Sequence, residues 1–405
     1  MNFPVSQNSS TPAVCDSSDG MASPILPDLS ARNTLNWSGD PLLEKQPFGP
    51  CPPYLIEDSY LAELGQGDAV WATVRRHIPE ALITRLKECV FVMLKPDALQ
   101  SGRHKEVLSE FARAGCFLLY AHTTLSASER HFEELYKYNL TIRNEHNMIG
   151  AWWINSPLYS ISPSVALMFW IPPQGEITAH QQVKHLKGPA NPFHGSPGEL
   201  RRKAGGTNRA LNLMHASDDP ISTAREFLIF DSPTRLTAAL QRADNLAQGK
   251  KDSAPLSNES LREQLFLAGP EERRLDLPSV LIGVKSRLRA TEEFSEPLHE
   301  ATADLYRRYR ELSTEHMDII ARWERFCELS NDERLVLEKL AAEQLATVEC
   351  LPLLRHLATP ADYRYKTFEE IRVEFTRRDV SLDPWDELAL ATSLYYHDSF
   401  PLPPA

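Results

Sequence analysis

The sequence predicts an α/β architecture of the α+β sandwich kind near its middle, followed by an α-helical domain. Three observations predict it. Short apolar runs, partly β-branched, at Cys89–Leu94, Phe117–Thr124 and Ser164–Trp170 alternate with stretches of helical period. The strand signal fades after Phe230, where residues 241–260 turn polar and rich in chain-turning residues. Beyond Pro278, Leu298, Leu305, Leu312, Ile319 and Phe326 recur at the seven-residue spacing of a packed helix face.

A chain of 405 residues exceeds one ordinary core and suggests two domains with tails. Its 42% hydrophobic and 24% charged residues are those of a globular protein. No apolar run approaches the ~20 residues needed to span a bilayer, so no membrane role is expected. A formal charge of −12 argues against non-specific nucleic-acid binding, which needs a basic surface. Cys15, Cys51, Cys89, Cys116, Cys327 and Cys350 have neither zinc-site spacing nor disulfide-scaffold density, and read as thiols in a reducing compartment. Residues 1–53, rich in Ser, Pro, Asn and Asp, read as a flexible leader without the pattern of a secretory signal, and the expected location is the cytoplasm.

Taken in order, residues 54–87 form a helical adaptor, with Leu61, Leu64, Val70, Trp71, Val74 and Ile78 on one face. Cys89–Leu94 is a central strand that runs into a loop at Lys95-Pro96-Asp97, and Lys105 to Ala114 follow as an amphipathic helix ended by Gly115. Phe117 to Thr124 form a second strand. Ser126-Ala-Ser-Glu129 caps a helix reaching about Tyr138. Ser164–Trp170 is a third strand, and Leu211-Asn-Leu-Met214 a fourth that leads into His215. The chain then divides into a domain at 88–231, a linker at 232–278 and a helical domain at 279–400. In that last domain the seven-residue stripe predicts one long helix, packed within the chain rather than in a coiled-coil dimer. A second helix starts after Ser330-Asn331-Asp332, and shorter ones surround Phe368 and Leu388. The end from Pro401 onward reads as frayed.

The segment Asn212-Leu-Met-His215-Ala-Ser-Asp218 resembles the active-site signature of nucleoside diphosphate kinases. The resemblance extends in order through Lys95-Pro-Asp97, Tyr136, Asn191-Pro192, Pro197-Gly198, Arg201 and Glu226. It implies a ferredoxin-like βαββαβ core and a phosphohistidine at His215. It also implies ping-pong chemistry, in which a nucleoside triphosphate with Mg²⁺ charges the histidine and a diphosphate discharges it. The residues suit that chemistry physically. A neutral imidazole is a nucleophile near pH 7 and needs an acceptor on its second nitrogen, for which Glu226 is the candidate. Charge on the moving phosphoryl group needs fixed donors, which the resemblance assigns to Lys95, Tyr136 and Arg201, with Asn212 near the ribose and Ser217 beside the histidine. No protein-held metal is expected.

Some positions depart from the family pattern. An Arg and a Thr on the nucleotide phosphates correspond here to Lys184, which lacks the guanidinium fork, and Ala190, which has no hydroxyl. Ala216 replaces a Gly. The stretch from Tyr136 to Trp170 is longer than the family needs, and the base-stacking aromatic is replaced by Asn144, leaving Trp152 or Trp153 as substitutes. The expected function is a phosphotransferase with a specialised acceptor. The alternative is a catalytically weakened nucleotide sensor or scaffold whose helical domain engages a partner. Nucleoside tri- and diphosphates are the expected ligands, and a homo-oligomer is possible.

Overall fold

The computed structural model describes residues 49–56, 61, 65–125, 129–141, 152–250, 258–269, 272–290, 296–343 and 349–401. The expected leader lies outside these residues except at its end, where Cys51 is buried and its main-chain nitrogen donates to Asp68 at 2.7 Å. The expected cap at Ser126 and the residues after Pro401 also lie outside them.

The adaptor is helical in pieces: α1 (Gly67–Val74) and 3-10 segments at Arg75–His77 and Glu80–Glu88. Between these, Ile78 is extended because it precedes Pro79, whose ring excludes the helical conformation from the residue before it.

Strand β1 (Cys89–Leu94) lies inside the sheet with β2 (Phe117–Thr124), β3 (Ser164–Trp170) and β4 (Met214–Ala216), in the order β2-β3-β1-β4 with each pair antiparallel. That is the ferredoxin-like βαββαβ order. The connections carry α2 (Pro96–Gln100), α3 (His104–Arg113), α4 (Glu129–Thr141), α5 (Trp152–Ile161), α6 (Ala179–Lys187) and α7 (Leu200–Lys203), and α8 (Pro220–Phe230) follows β4. The alternation of β1 explains its unbroken apolar sequence, since both faces are covered. Val90, Val92 and Leu94 join Val107 and Phe111 of α3 and Val183 of α6, whereas Phe91 meets Phe227 and Phe230 of α8 with ring centroids 6.5 and 5.9 Å away. Each fully buried Phe of this kind contributes about 1.5–3 kcal/mol through removal from water.

The fourth strand is shifted from its expected place. Leu211 to Leu213 form a loop, and the strand begins at Met214 and contains His215. Leu213 has φ of 74°, a left-handed backbone that no strand tolerates. A short helix, α2, also occupies the expected loop after Lys95, because Pro96 at its first turn needs no amide partner.

The expected linker holds two helices, α9 (Pro233–Ala247) and α10 (Asn258–Leu267). In α9, Leu236, Ala239, Leu240 and Ala243 form a buried stripe at helical spacing among polar residues. α10 covers the outer edge of β2: Thr123 donates from its amide to Gln264 Oε1 at 2.8 Å and from its hydroxyl to the Gln264 carbonyl at 2.5 Å.

Next come α11 (Leu277–Arg289), α12 (Glu296–Thr314), α13 (Ile319–Ala342), α14 (Leu351–Leu357), α15 (Tyr365–Arg377) and α16 (Pro384–Tyr395). The seven-residue stripe is therefore shared by two helices. Asp318 ends the first run by capping α13, accepting from the Ile320 amide at 2.9 Å. The two form an antiparallel hairpin, as the contacts of Arg308 with Asp332 and of Tyr309 with Ser330 require. Ser330, Asn331 and Asp332 lie inside α13 and cap nothing; Ser330 is buried against Tyr309 and Asp332 pairs with Arg308 across the hairpin. No helix among the described residues is long and apolar enough to cross a membrane.

Candidate active site

His215 stands opposite Met93 in the β1–β4 ladder. Cross-strand partners share a face, so the imidazole points to the side of the sheet that α8 covers. Asp219 caps α8, accepting from the Ser222 amide at 2.6 Å, and Pro220 occupies its first turn. The second turn then presents Glu226. Its Oε2 lies 2.8 Å from His215 Nε2 and accepts from Ser217 Oγ at 2.7 Å, while Arg225 donates to Oε1 at 3.2 Å. Burial alone would raise the Glu226 carboxyl, but His215, Arg225 and Ser217 outweigh it and hold the group below its ordinary range. An ionised acceptor on Nε2 keeps the proton there. The Nδ1 lone pair is left without a hydrogen-bond partner among the described residues.

The loop before His215 is held from two sides. Leu213 donates its amide to Asp97 Oδ2 at 2.8 Å and accepts at its carbonyl from the Lys95 amide at 3.0 Å. Asn208 Oδ1 takes the amides of Ala210 and Leu211, both at 2.8 Å, while its Nδ2 reaches Thr392 and Ser393 on α16. Asn191 donates to the Ser399 carbonyl at 3.1 Å. The helical part of the chain thus anchors the loop that carries the site.

Lys95 is buried and donates to Asn212 Oδ1 at 3.0 Å and to the Ala210 carbonyl. Burial lowers its ammonium pKa to about 8. Asn212 spends its amide nitrogen on the carbonyls of Ala190 and Arg209. Arg201 donates to the carbonyls of Gly188 at 3.1 Å and Met214 at 2.9 Å, and burial lowers its guanidinium pKa to about 10. Its neighbour Arg202 turns away to Asp318, which separates the two arginines of the basic turn. Tyr136 lies edge-on to the imidazole with ring centroids 5.4 Å apart, and its hydroxyl meets that of Tyr159 at 2.9 Å. Burial pushes the Tyr136 phenol up to about 12, so it stays a donor at neutral pH.

Ser217 stands beside the histidine as expected, sharing Glu226 Oε2 with it, and Lys184 takes another position. Ser217 is engaged by Glu226 and acts on the orienting carboxylate. Lys184 lines a cavity of about 780 Å³ with Lys87, Thr178, His180, Gln181 and Asp218, a cavity that His215, Lys95 and Arg201 do not line. Three contributors were missed by sequence reasoning, Tyr159, Arg225 and Lys187, while Asp97 stands in the Lys95-Pro96-Asp97 motif without an assigned role. Lys187 lies one helical turn beyond Lys184, and no local signal separates the two. Tyr159 had no local signal, because it belongs to the stretch that departs from the family pattern.

The described residues contain no group of three or more His, Cys, Asp or Glu side chains able to hold a metal ion. Asp97 Oδ2 accepts from the Leu213 amide, and Glu226 Oε2 meets His215.

Residues 88–235 match the family described as nucleoside diphosphate kinase. The nucleoside diphosphate kinase of Bacillus licheniformis is 34% identical over 144 residues, which are 35% of this chain and 87% of that protein. The chain belongs to the nucleoside diphosphate kinase family. Similar relatives include the nucleoside diphosphate kinases of Carboxydothermus hydrogenoformans, 31% identical over 35% of this chain and 87% of that protein, and of Desulfitobacterium hafniense, 28% identical over 37% and 91%. A solved nucleoside diphosphate kinase from Aquifex aeolicus is 22% identical, covers 36% of this chain and 95% of that chain, and gives a TM-score of 0.30. The family stretch contains all four strands and α8. Asp318, the cap of α13, and the helix α16, which hold Arg202 and Asn208 of the 191–213 stretch, lie beyond it.

Proposed function

We propose that the protein is a phosphotransferase that works through phospho-His215, taking the phosphoryl group from a nucleoside triphosphate and passing it to a diphosphate or a related acceptor. The observation that carries this reading is the pairing of His215 Nε2 with the buried Glu226 carboxylate at 2.8 Å, which leaves Nδ1 as the nucleophilic nitrogen. A residue that only bound nucleotide would have no need of that orientation.

In the first half-reaction Nδ1 attacks the terminal phosphorus. The N–P bond forms as the bond to the bridging oxygen breaks, and the nucleoside diphosphate leaves with that oxygen's electron pair. The Nε2 proton stays on the imidazole, where Glu226 balances the cationic ring. Lys95, Tyr136 and Arg201 supply fixed donors for the charge on the phosphoryl oxygens, without reorganisation at the moment of transfer. Mg²⁺ belongs to the nucleotide complex. The second half-reaction reverses these steps onto the acceptor. The domain at 88–231 would hold the chemistry, and the helical domain from 279 would buttress its loop and specialise the acceptor.

The test is to incubate the full chain and His215→Ala with γ-labelled ATP and Mg²⁺ and follow acid-labile, base-stable label. Label on the wild type alone supports the mechanism. No label on a wild type that still binds nucleotide would replace it with the sensor or scaffold reading.

A further inference from the structure

β4 is the last strand of the sheet, so alternate carbonyls on its outer side have no partner strand. Those carbonyls belong to Met214 and Ala216, the residues on either side of His215. Each is taken by a cation: Arg201 Nη2 donates to Met214 O at 2.9 Å, and Lys187 Nζ donates to Ala216 O at 3.3 Å. The two cations are joined through Gly188, whose carbonyl accepts from Arg201 Nη1 at 3.1 Å. Gly188 has φ of 71°, and an added Cβ would come within 2.8 Å of Glu199, so the turn that delivers Lys187 to the strand needs glycine there.

A lysine in the last turn of a helix commonly faces the carbonyls of its own helix end. Lys187 instead reaches across to the nucleophile's strand, with its side chain 12% exposed. Its nearest carboxylate, Asp218, is 3.7 Å away and half-exposed, beyond a good hydrogen bond. Burial lowers the Lys187 ammonium, and Arg201 adds to that effect. Donors remain unspent on both cations: Arg201 Nε is buried without a partner among the described residues, and Lys187 uses one clear hydrogen bond of three. Two crowded, desolvated cations with spare donors beside a nucleophile are satisfied by an anion.

We propose that Lys187 is a phosphate-binding cation of this site, taking beside Arg201 the role that the family resemblance gives to Lys184. The proposal rests on the nucleotide-site reading above. The Lys184 side chain lines the separate cavity and has no hydrogen-bond or ion-pair partner among the described residues, so it is the internal control.

The test uses the full chain, with ADP binding by calorimetry and γ-labelled ATP for His215 labelling. Lys187→Gln keeps a donor for the Ala216 carbonyl and removes the charge, and it is expected to weaken ADP binding about tenfold and slow labelling by at least as much. Lys187→Arg, which restores a charge, should recover most of the ADP affinity. Lys184→Met should stay within about twofold of wild type in both assays, a factor below the effect of one lost charged contact. ADP affinity within about twofold of wild type in Lys187→Gln, or a loss in Lys184→Met that equals it, overturns the proposal. A wild type that binds ADP but is not labelled would defeat the phosphotransferase reading while the binding comparison still decides Lys187. A wild type that binds no ADP defeats both.

Discussion

Arg202 and Asp318 form a two-pronged ion pair, Nε to Oδ2 at 2.9 Å and Nη2 to Oδ1 at 3.1 Å, between the helix that carries Arg201 and the residue that caps α13. It ties the family domain to the helices beyond it, and its side chains are 16% and 34% exposed. The partial exposure keeps its worth modest. Urea unfolding of Arg202→Ala, Asp318→Ala and the double variant should give a coupling energy of about 0.5–1 kcal/mol, with Asp318→Ala costing about 1 kcal/mol more for the lost cap. Strict additivity in that cycle would mean the pair does not link the two regions.

Glu226→Gln retains the shape of the orienter but lets an amide meet Nε2, so the imidazole can hold its proton on Nδ1 and lose the nucleophilic lone pair. Labelling of His215 should slow by about 100-fold or more with little change in nucleotide affinity. Rapid-quench labelling at saturating ATP reads the first effect and calorimetry the second. Equal labelling rates would remove Glu226 from the mechanism.

Lys95 carries a sign that can be checked. Its folded pKa is lowered from 10.5 to about 8 by burial, so the free protein loses this charge as pH rises through about 8. The charged form is disfavoured by folding, so the Lys95 contribution to stability is least favourable below pH 8 and improves toward pH 10.5. Affinity for ADP should run the opposite way, falling between pH 7 and 9.5 with proton uptake on binding near pH 8 to 9. Lys95→Met should bind weakly with a flatter profile, and an unchanged slope in that variant would assign the titration elsewhere.

Within the helical part, Lys285 and Glu333 form an ion pair that is 0% and 1% exposed, with Tyr306 and Tyr309 donating to the same carboxylate. Lys285→Met or Glu333→Leu alone should cost about 3–5 kcal/mol, because each leaves an unpaired buried charge. The double variant should be no worse than the milder single one. Chemical denaturation of the three variants checks this, and a double loss equal to the sum would show that the pair does not act as a unit.

The three long strands were legible to the residue, at Cys89–Leu94, Phe117–Thr124 and Ser164–Trp170, since β-branched and aromatic runs bounded by turns leave little alternative. The fourth was displaced because Leu211 and Leu213 are as apolar as a strand, yet Asn208, three residues before, claims the Leu211 amide, and Asp97, distant in sequence, claims that of Leu213. The Leu298–Phe326 stripe continued through a chain reversal. A packing face repeats every seven residues whether one helix carries it or two that fold back on each other, so only the cap at Asp318 marked the break.

By itself the sequence determined the family, three of the four sheet strands and the pairing of His215 with Glu226, because their signals are local: an apolar run, or a motif of fixed spacing. The tertiary structure decided which of two lysines one turn apart faces the strand of His215, which of two adjacent arginines enters the site, and that helices beyond residue 235 hold the loop at 191–213. Those choices depend on the rotation of a helix and on partners more than a hundred residues away, such as Asn208 with Thr392, which no local pattern encodes.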